Sequence, residues 1–253
     1  MSLVLAGRGF AGIGIVLGLL AMALSLSSGG GVSYADDGTV IAFLIVTLSL
    51  ASHFPAEIGS DAQGAAFGSA AFGFYLFTPA LLAFDHLGDL GSAGWLGLCT
   101  VLIPIGFFMV ERAEAGHAPA APQPARHTTK DAALLVTTIG LALIVVSVWL
   151  DASDSGPSYW NASKTLAILI LLLAVANALL AMRAPATSNL ALLTAATTFG
   201  LVEVGFVQTA FENFGSLGAG GWLQAFGGVF LLVSVLAARA NARAGALAPA
   251  PAH

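Results

Sequence analysis

Eight stretches of this chain are apolar and nearly free of charge: roughly 10–27, 38–54, 63–84, 91–110, 132–150, 164–182, 189–211 and 220–238. A helix crosses a bilayer in about 17–25 residues at 1.5 Å per residue. All eight stretches qualify, with 38–54 at the short end. Lipid offers no partners for open backbone groups, so each such segment must close its hydrogen bonds within a helix. The expected fold is an all-α integral membrane protein with eight transmembrane helices. Composition points the same way. Hydrophobic residues make up 58% of the chain and charged residues 8%, against about 25% charged in a soluble domain. A chain this poor in charge could not cover its own surface in water. Its 30 glycines, with abundant alanine, suit close helix packing where lipid gives helices no hydrophobic drive to associate.

The first stretch has an alternative reading as a secretory signal peptide. Arg8 precedes it, and Ser33-Tyr34-Ala35 faintly resembles a cleavage site. An internal repeat argues for retention. The segment 72–96, FGFYLFTPALLAFDHLGDLGSAGWL, aligns without gaps to 199–223, FGLVEVGFVQTAFENFGSLGAGGWL. Phe72/Phe199, Gly73/Gly200, Phe84/Phe211, Gly88/Gly215, Gly91/Gly218 and Trp95/Trp222 are identical, and Asp85/Glu212 and His86/Asn213 are similar. Upstream, Ser33-Tyr34 and Ser158-Tyr159 mark matching loops. The first stretch then has its counterpart at 132–150, which is no signal. The expected organisation is two tandem, parallel four-helix units at 1–111 and 132–243. They are separated by an Ala/Pro-rich cytoplasmic linker at 112–131 and followed by a disordered tail at 244–253. Four helices per unit is an even number, so both units cross in the same direction, unlike inverted repeats.

Basic residues give the orientation. Arg8, Arg112, Arg126, Lys130, Arg183, Arg239 and Arg243 fall on one side of an eight-span arrangement, and only Lys164 on the other. The positive-inside rule then places both termini in the cytoplasm of a cell (plasma or inner) membrane. Trp95, Trp149, Trp160 and Trp222 fall near the outer boundary, as an interfacial belt does. No basic cluster suggests nucleic acid. The single Cys99 cannot form an intrachain disulfide, and its apolar setting suggests a buried, inert thiol.

Glu203, in TTFGLVEVGFVQ, is the most informative residue. A carboxyl well inside an apolar segment is costly and is a functional candidate by default. Its neighbours on the helical face are Phe199, Gly200, Phe206 and Val207. Two roles are open: a proton-coupling or solute-contacting group in a pore, or a hydrogen-bonded packing residue. The first unit has Leu76 at this place. Few other polar groups interrupt the helices, chiefly Asn177, Gln208 and scattered Ser and Thr.

Other constellations weigh less. Phe67, Phe72, Phe74, Tyr75 and Phe77 include rings at helical spacing that suit either a pore constriction or core packing. Asp85, His86, Glu212 and Asn213 are vestibule candidates, with solvated loop residues as the plainer reading. His53 and Glu57 lie one turn apart with Asp61 nearby, but Pro55 interrupts the turn, and interfacial polar residues explain them. Gly7-x-Gly9-x-x-Gly12 has dinucleotide-fingerprint spacing without the preceding strand that motif needs. Packing glycines, continuing through Gly14 and Gly18 and matched by Gly64 and Gly68, explain it better. Asn161-Ala162-Ser163 is a formal glycosylation sequon. No nucleophile–base pair, phosphate loop or metal-ligand cluster is evident, so neither an enzyme nor a bound cofactor or metal is expected.

Two segments carry a family resemblance. Glu57 followed by GSDAQGAAFGSAAFGFYLF, and AGGWLQAFGGVFLLVSVLAARAN at 219–241, resemble the YaaH/SatP acetate–succinate channels. In that family an acidic residue ends the second helix before a Gly-rich, Phe-containing entry to the third. An AGG-aromatic start there leads into the final helix. FGFYLF followed by HLGDLGSAGWL is also similar to proton-gated urea and amide channels. The resemblance implies a bundle of helical hairpins, a narrow pore with aromatic constrictions in each protomer, and a ring-shaped homo-oligomer. Phe67, Phe72 and Tyr75 fall in the matching third-helix segment. Two features depart from the family: its Asn-Pro-Ala signature is replaced by GRGFAGIG, and eight helices stand where it has six. The expected function is a channel or transporter for a small solute, an acetate-like monocarboxylate or urea/amide, with Glu203 in proton coupling or selectivity. The alternative is a non-transporting membrane subunit or scaffold of a larger complex.

Overall fold

The computed structural model describes residues 3–22, 24, 39–53, 61–86, 91–115, 127–151, 157–185, 188–213 and 217–247. Among these residues the chain is helical, with no strand and one isolated antiparallel bridge between Asp151 and Ser158. The helices are α1 (Leu3–Met22), α2 (Thr39–His53), α3 (Asp61–His86), α4 (Ser92–Cys99), α5 (Leu102–Ala115), α6 (His127–Ser147), α7 (Tyr159–Ala162), α8 (Lys164–Arg183), α9 (Asn189–Asn213) and α10 (Ala219–Leu247). Every apolar stretch coincides with helix. Four helices are long and apolar enough to cross a membrane, in Leu5–Met22, Lys164–Arg183, Asn189–Val207 and Ala219–Asn241. The remaining stretches carry shorter apolar helices.

Boundaries differ from the hydropathy reading in three places. α1 begins at Leu3 and ends at Met22, about a turn and a half before the apolar letters do. The linker expected at 112–131 is helical at both ends, because α5 runs to Ala115 and α6 begins at His127. α10 likewise continues to Leu247, into the expected tail. Alanine-rich sequence with scattered Arg and Glu is helix-forming even without an apolar face, so helices outlast the hydropathy signal that locates them.

The fourth stretch is not one helix but two. Pro104 has no N–H, and its ring crowds the carbonyl four residues back, at Thr100. The chain tightens there. Thr100 N–H donates to Gly97 at 3.1 Å and Val101 N–H to Leu98 at 3.2 Å, both three residues back. The Thr100 hydroxyl also donates to the Gly97 carbonyl. The turn exposes Cys99, contrary to the buried thiol expected from its apolar neighbours.

Glycine sets how close the helices lie. Gly7, Gly14 and Gly18 of α1 face α5 and its approach: an added Cβ at Gly14 would stand 2.9 Å from the Ile103 nitrogen. Gly9 and Gly12 face open space and do not share this role. α6 meets α10 in the same manner, with a Cβ at Gly140 falling 2.9 Å from the Gly227 carbonyl oxygen. α3 and α9 pack most intimately. A Cβ on Gly73 would collide with the Thr197 carbonyl, and one on Gly200 with the Ala70 carbonyl. Ala66 clusters with Leu192 and Ala196, and farther along Phe74 clusters with Val204, so α3 and α9 run in the same direction.

Polar ties add to this packing. The Thr137 and Ser234 hydroxyls meet at 2.7 Å between α6 and α10. Asn177 Nδ2 donates to Thr198 Oγ1 at 2.8 Å between α8 and α9. Outside, the bundle shows bare hydrocarbon. Ile168, Leu172, Val175, Leu179 and Met182 form an exposed stripe along α8, while Leu166, Ala167, Ile170, Ala174 and Asn177 are buried behind it.

The glycine contacts predict opposite signs for two similar substitutions. Gly9→Ala raises the thermal midpoint in detergent, because alanine in a helix is favoured by roughly 0.5–1 kcal/mol where nothing obstructs it. Gly73→Ala lowers the midpoint, because overpacking against a backbone carbonyl costs about 1–3 kcal/mol. A melt comparing the two checks this.

Candidate functional site

Glu203 lies in α9 within one turn of Gly200 at the α3 crossing, and it is buried. The neighbour that admits it is Gly228 of α10. A Cβ there would stand 2.7 Å from Glu203 Oε1, 2.9 Å from Val202 Cγ2 and 3.4 Å from Phe199 Cδ2. The bare glycine thus leaves room for the carboxyl beside the α10 backbone. Oε1 finds no hydrogen-bond partner among the described residues. Unpaired buried acceptors are rare in folded proteins, and each asks for an explanation.

One end of this region is formed by α7, between α6 and α8. Ser158 caps α7, its hydroxyl accepting from the Asn161 N–H at 3.4 Å. Ser163 caps α8, accepting from the Leu166 N–H at 3.3 Å. These caps seat Tyr159 in a cluster with Ile144, Val148, Leu166, Leu201 and Val202. The Tyr159 hydroxyl presses against Gly205, two residues beyond Glu203. Burial raises the pKa of this hydroxyl above its ordinary value, and the Glu203 carboxylate raises it further. Tyr159 is therefore a neutral hydroxyl at any physiological pH.

A second buried group was not singled out from the sequence. Gln224 is completely buried, and both its Oε1 and Nε2 lack a partner among the described residues. The available signal was an amide within the apolar run AGGWLQAFGGVF. By sequence alone, one Gln near a helix start reads as an ordinary interfacial residue. Burial depends on which way it faces, and α6, α9 and α10 decide that together.

The aromatic candidates separate. Phe199 lines the Glu203 cleft, and Phe206 meets Trp222 edge-on at 5.6 Å between ring centroids. Trp222 stacks in turn on Phe226 at 5.9 Å. Tyr75 is fully buried in the first half, its hydroxyl against Gly18 and Thr100. Phe72 is half-buried, and Phe67 is exposed at 42%. Asp85 and His86 end α3, and Glu212 and Asn213 end α9, but their side chains lie outside the described residues, as do those of His53 and Gln208 and all of Glu57. Asn161 of the sequon is exposed. Among the described residues no three His, Cys, Asp or Glu side chains converge as a metal site would require. In comparisons with known proteins, the chain matches no family model, no curated protein and no solved structure.

The two kinds of buried polar residue predict different responses to removal. Asn177→Leu forfeits the tie to Thr198 and costs about 1 kcal/mol of stability. Gln224→Met, of similar volume, gives up no observed hydrogen bond and leaves the thermal midpoint unchanged or higher. Unfolding of both variants in detergent measures the difference.

Proposed function

We propose that this chain is an eight-helix membrane channel or transporter for a small solute, and that the solute passes Glu203. The observation that carries this reading is a carboxyl held in the apolar interior over bare Gly228 with Oε1 unpartnered. Evolutionary expense of that kind in a membrane bundle marks ion and solute paths. The exposed stripe of α8 supports lipid contact, as do Ile13, Val16 and Leu20 on α1, Leu135, Ile139 and Val146 on α6, and Phe226, Val229 and Val233 on α10. Apolar surfaces this extensive are uncommon on soluble monomers.

The two-unit organisation belongs to the same proposal. α1 pairs with α5, as α6 pairs with α10. Gly14 and Ile103 are neighbours, and their counterparts, positions 139 and 230, adjoin the close pair Gly140 and Leu231. At the centre the relation is reciprocal. Gly73 meets Thr197 and Gly200 meets Ala70, and both pairs are equivalent in the repeat alignment. Such reciprocity supports a two-fold relation between the units. The broken fourth helix is compatible with it, since Pro104 has Leu231 as its counterpart and α10 continues unbroken. Because glycine closes the α3–α9 seam, the solute route in this reading runs within the second unit, past Glu203, rather than along the axis.

The family resemblance adds an acetate-like monocarboxylate or urea/amide as solute, and a homo-oligomeric ring. The positive-inside bias adds cytoplasmic termini. The scaffold alternative rests on the tight central seam, which a solid bundle would also have.

Two experiments test the reading. Proteoliposomes are loaded and assayed for uptake of labelled acetate and urea across a pH gradient. Uptake well above empty vesicles is expected, falling at least tenfold in Glu203→Gln. Unchanged flux in that variant removes Glu203 from the path, and no flux of any small acid or amide leaves the scaffold reading. For topology, a Cys99→Ala background receives one new cysteine at a time. Asn161→Cys should react with an impermeant maleimide on intact cells, and Thr187→Cys only after permeabilisation. The reverse pattern overturns the orientation.

A further inference from the structure

The glycine contacts divide the helix seams into two kinds. In three pairs, backbone meets backbone. Gly7 of α1 lies against the Gly106 carbonyl of α5, Gly73 of α3 against the Thr197 carbonyl of α9, and Gly140 of α6 against the Gly227 carbonyl of α10. Elsewhere side chains intervene. The three atoms nearest a Cβ at Gly228 of α10 belong to the side chains of Glu203, Val202 and Phe199 on α9. Backbone against backbone has no rotamer to yield, whereas helices separated by side chains can slide or part.

α6 and α10 are fastened at three levels. The Thr137 and Ser234 hydroxyls meet at 2.7 Å, Gly140 and Gly227 cross, and the Gly220 N–H donates to the Asp151 carbonyl at 2.9 Å. α8 is bonded instead to the central pair. Asn177 donates to Thr198 of α9, and the Ser163 hydroxyl to the Ala80 carbonyl of α3 at 3.4 Å. Where α6 meets α8 the packing is apolar, with Ile144 and Val148 clustered with Leu166 and Ile170. Two bodies result: α6 with α10, and α3 with α8 and α9.

Short connections tether these bodies at one end. Residues 148–163, containing α7, join α6 to α8, and residues 214–218 join α9 to α10. α7 is itself held there, because the Trp160 N–H donates to the Val148 carbonyl at 3.0 Å and the Tyr159 hydroxyl lies against Gly205. At the opposite end the α9–α10 seam is shut by apolar side chains. Ala66, Leu192 and Ala196 cluster there with Leu232, Val235 and Leu236. Arg239, eleven residues beyond Gly228, lies on nearly the same side of α10 at about 100° per residue, and it is buried at that end.

The shut seam carries a cost at Glu203, whose Oε1 has no partner among the described residues. Parting the seam gives the carboxyl water and gives up the apolar contacts at the far end. Opposed terms of this kind are what a two-state element requires. The first half has Leu76 at the aligned position and lacks this drive.

We propose that α6 and α10 swing as one body about α7 and the α9–α10 connection, parting the α9–α10 seam at its Leu192–Leu236 end and opening Glu203 to that side. The movement rests on the transport reading for its purpose, but it is measured apart from flux. In a Cys99→Ala background, spin-labelled cysteine pairs report distances in full-length protein in lipid nanodiscs. Leu135→Cys with Leu190→Cys spans the two bodies at the far end and should give two distances. Leu135→Cys with Val233→Cys, and Phe67→Cys with Leu190→Cys, lie within one body each and should give one. Val146→Cys with Lys164→Cys, at the α7 end, should also give one. Adding Glu203→Leu should reduce the longer far-end distance at least fivefold in population. A single far-end distance overturns the movement. Two distances within a body overturn the grouping of helices, and two at the α7 end overturn the pivot. A population indifferent to Glu203→Leu removes that residue as the drive. In proteoliposomes, oxidising Val202→Cys with Gly228→Cys should lower uptake of labelled acetate and urea at least tenfold, reversed by reductant. Oxidising Thr137→Cys with Ser234→Cys, inside one body, should not. Two far-end distances without uptake leave the movement standing and overturn the transport reading. Uptake with a single far-end distance does the opposite.

Discussion

The contact of α3 with α9 at Gly73 and Gly200 is the constraint from which the rest of the arrangement follows. Each glycine lies against a backbone carbonyl of the other helix, so no larger residue fits either place. Dispersion and close backbone approach are what hold helices together when their surroundings are as apolar as their side chains. With that seam shut, α3 and α9 leave no room between them at this crossing. What remains is the interior of each half, where α1 lies along α5 and α6 along α10. The first interior is filled by Tyr75, fully buried with its hydroxyl on Gly18. The second, where Val202 stands at the position aligned with Tyr75, contains Glu203 and Gln224.

Buried polar groups in this fold fall into two sorts, and the difference is energetic. Thr137 with Ser234, and Asn177 with Thr198, are paired across helices, so their desolvation is offset. Glu203 and Gln224 are not offset by any partner among the described residues. Groups of this second sort lower stability unless something binds to them, and sites of function are commonly where such costs are kept. In the proposed function Glu203 meets the transported solute, and the half without it serves as scaffold.

Much of this could be read from the letters alone. Lipid-compatible helices follow from composition and from run length, because the hydrocarbon thickness and the helix rise are both constants. Every helix longer than one turn coincides with an apolar stretch, and Glu203 stood out because a carboxylate in such a stretch has no ordinary explanation. The pairing glycines were visible as a class, though not which of them pair: Gly7 and Gly14 do, Gly9 and Gly12 do not. Hydropathy also missed the break at Thr100, since a proline costs a helix one hydrogen bond but changes apolarity hardly at all.

What the sequence by itself determined, then, is a helical, apolar chain with an expensive carboxyl in one place and glycine where helices must touch. Tertiary structure decided which side chains face one another. That is why Gln224, one polar letter among apolar neighbours, joins Glu203 as an orphan only when α6, α9 and α10 are assembled. It is also why Cys99, read as buried from its neighbours, is exposed. Facing depends on helix rotation, which neighbouring helices fix through contacts far apart in the chain. A one-dimensional pattern gives the period of a helix surface but not the direction in which it points.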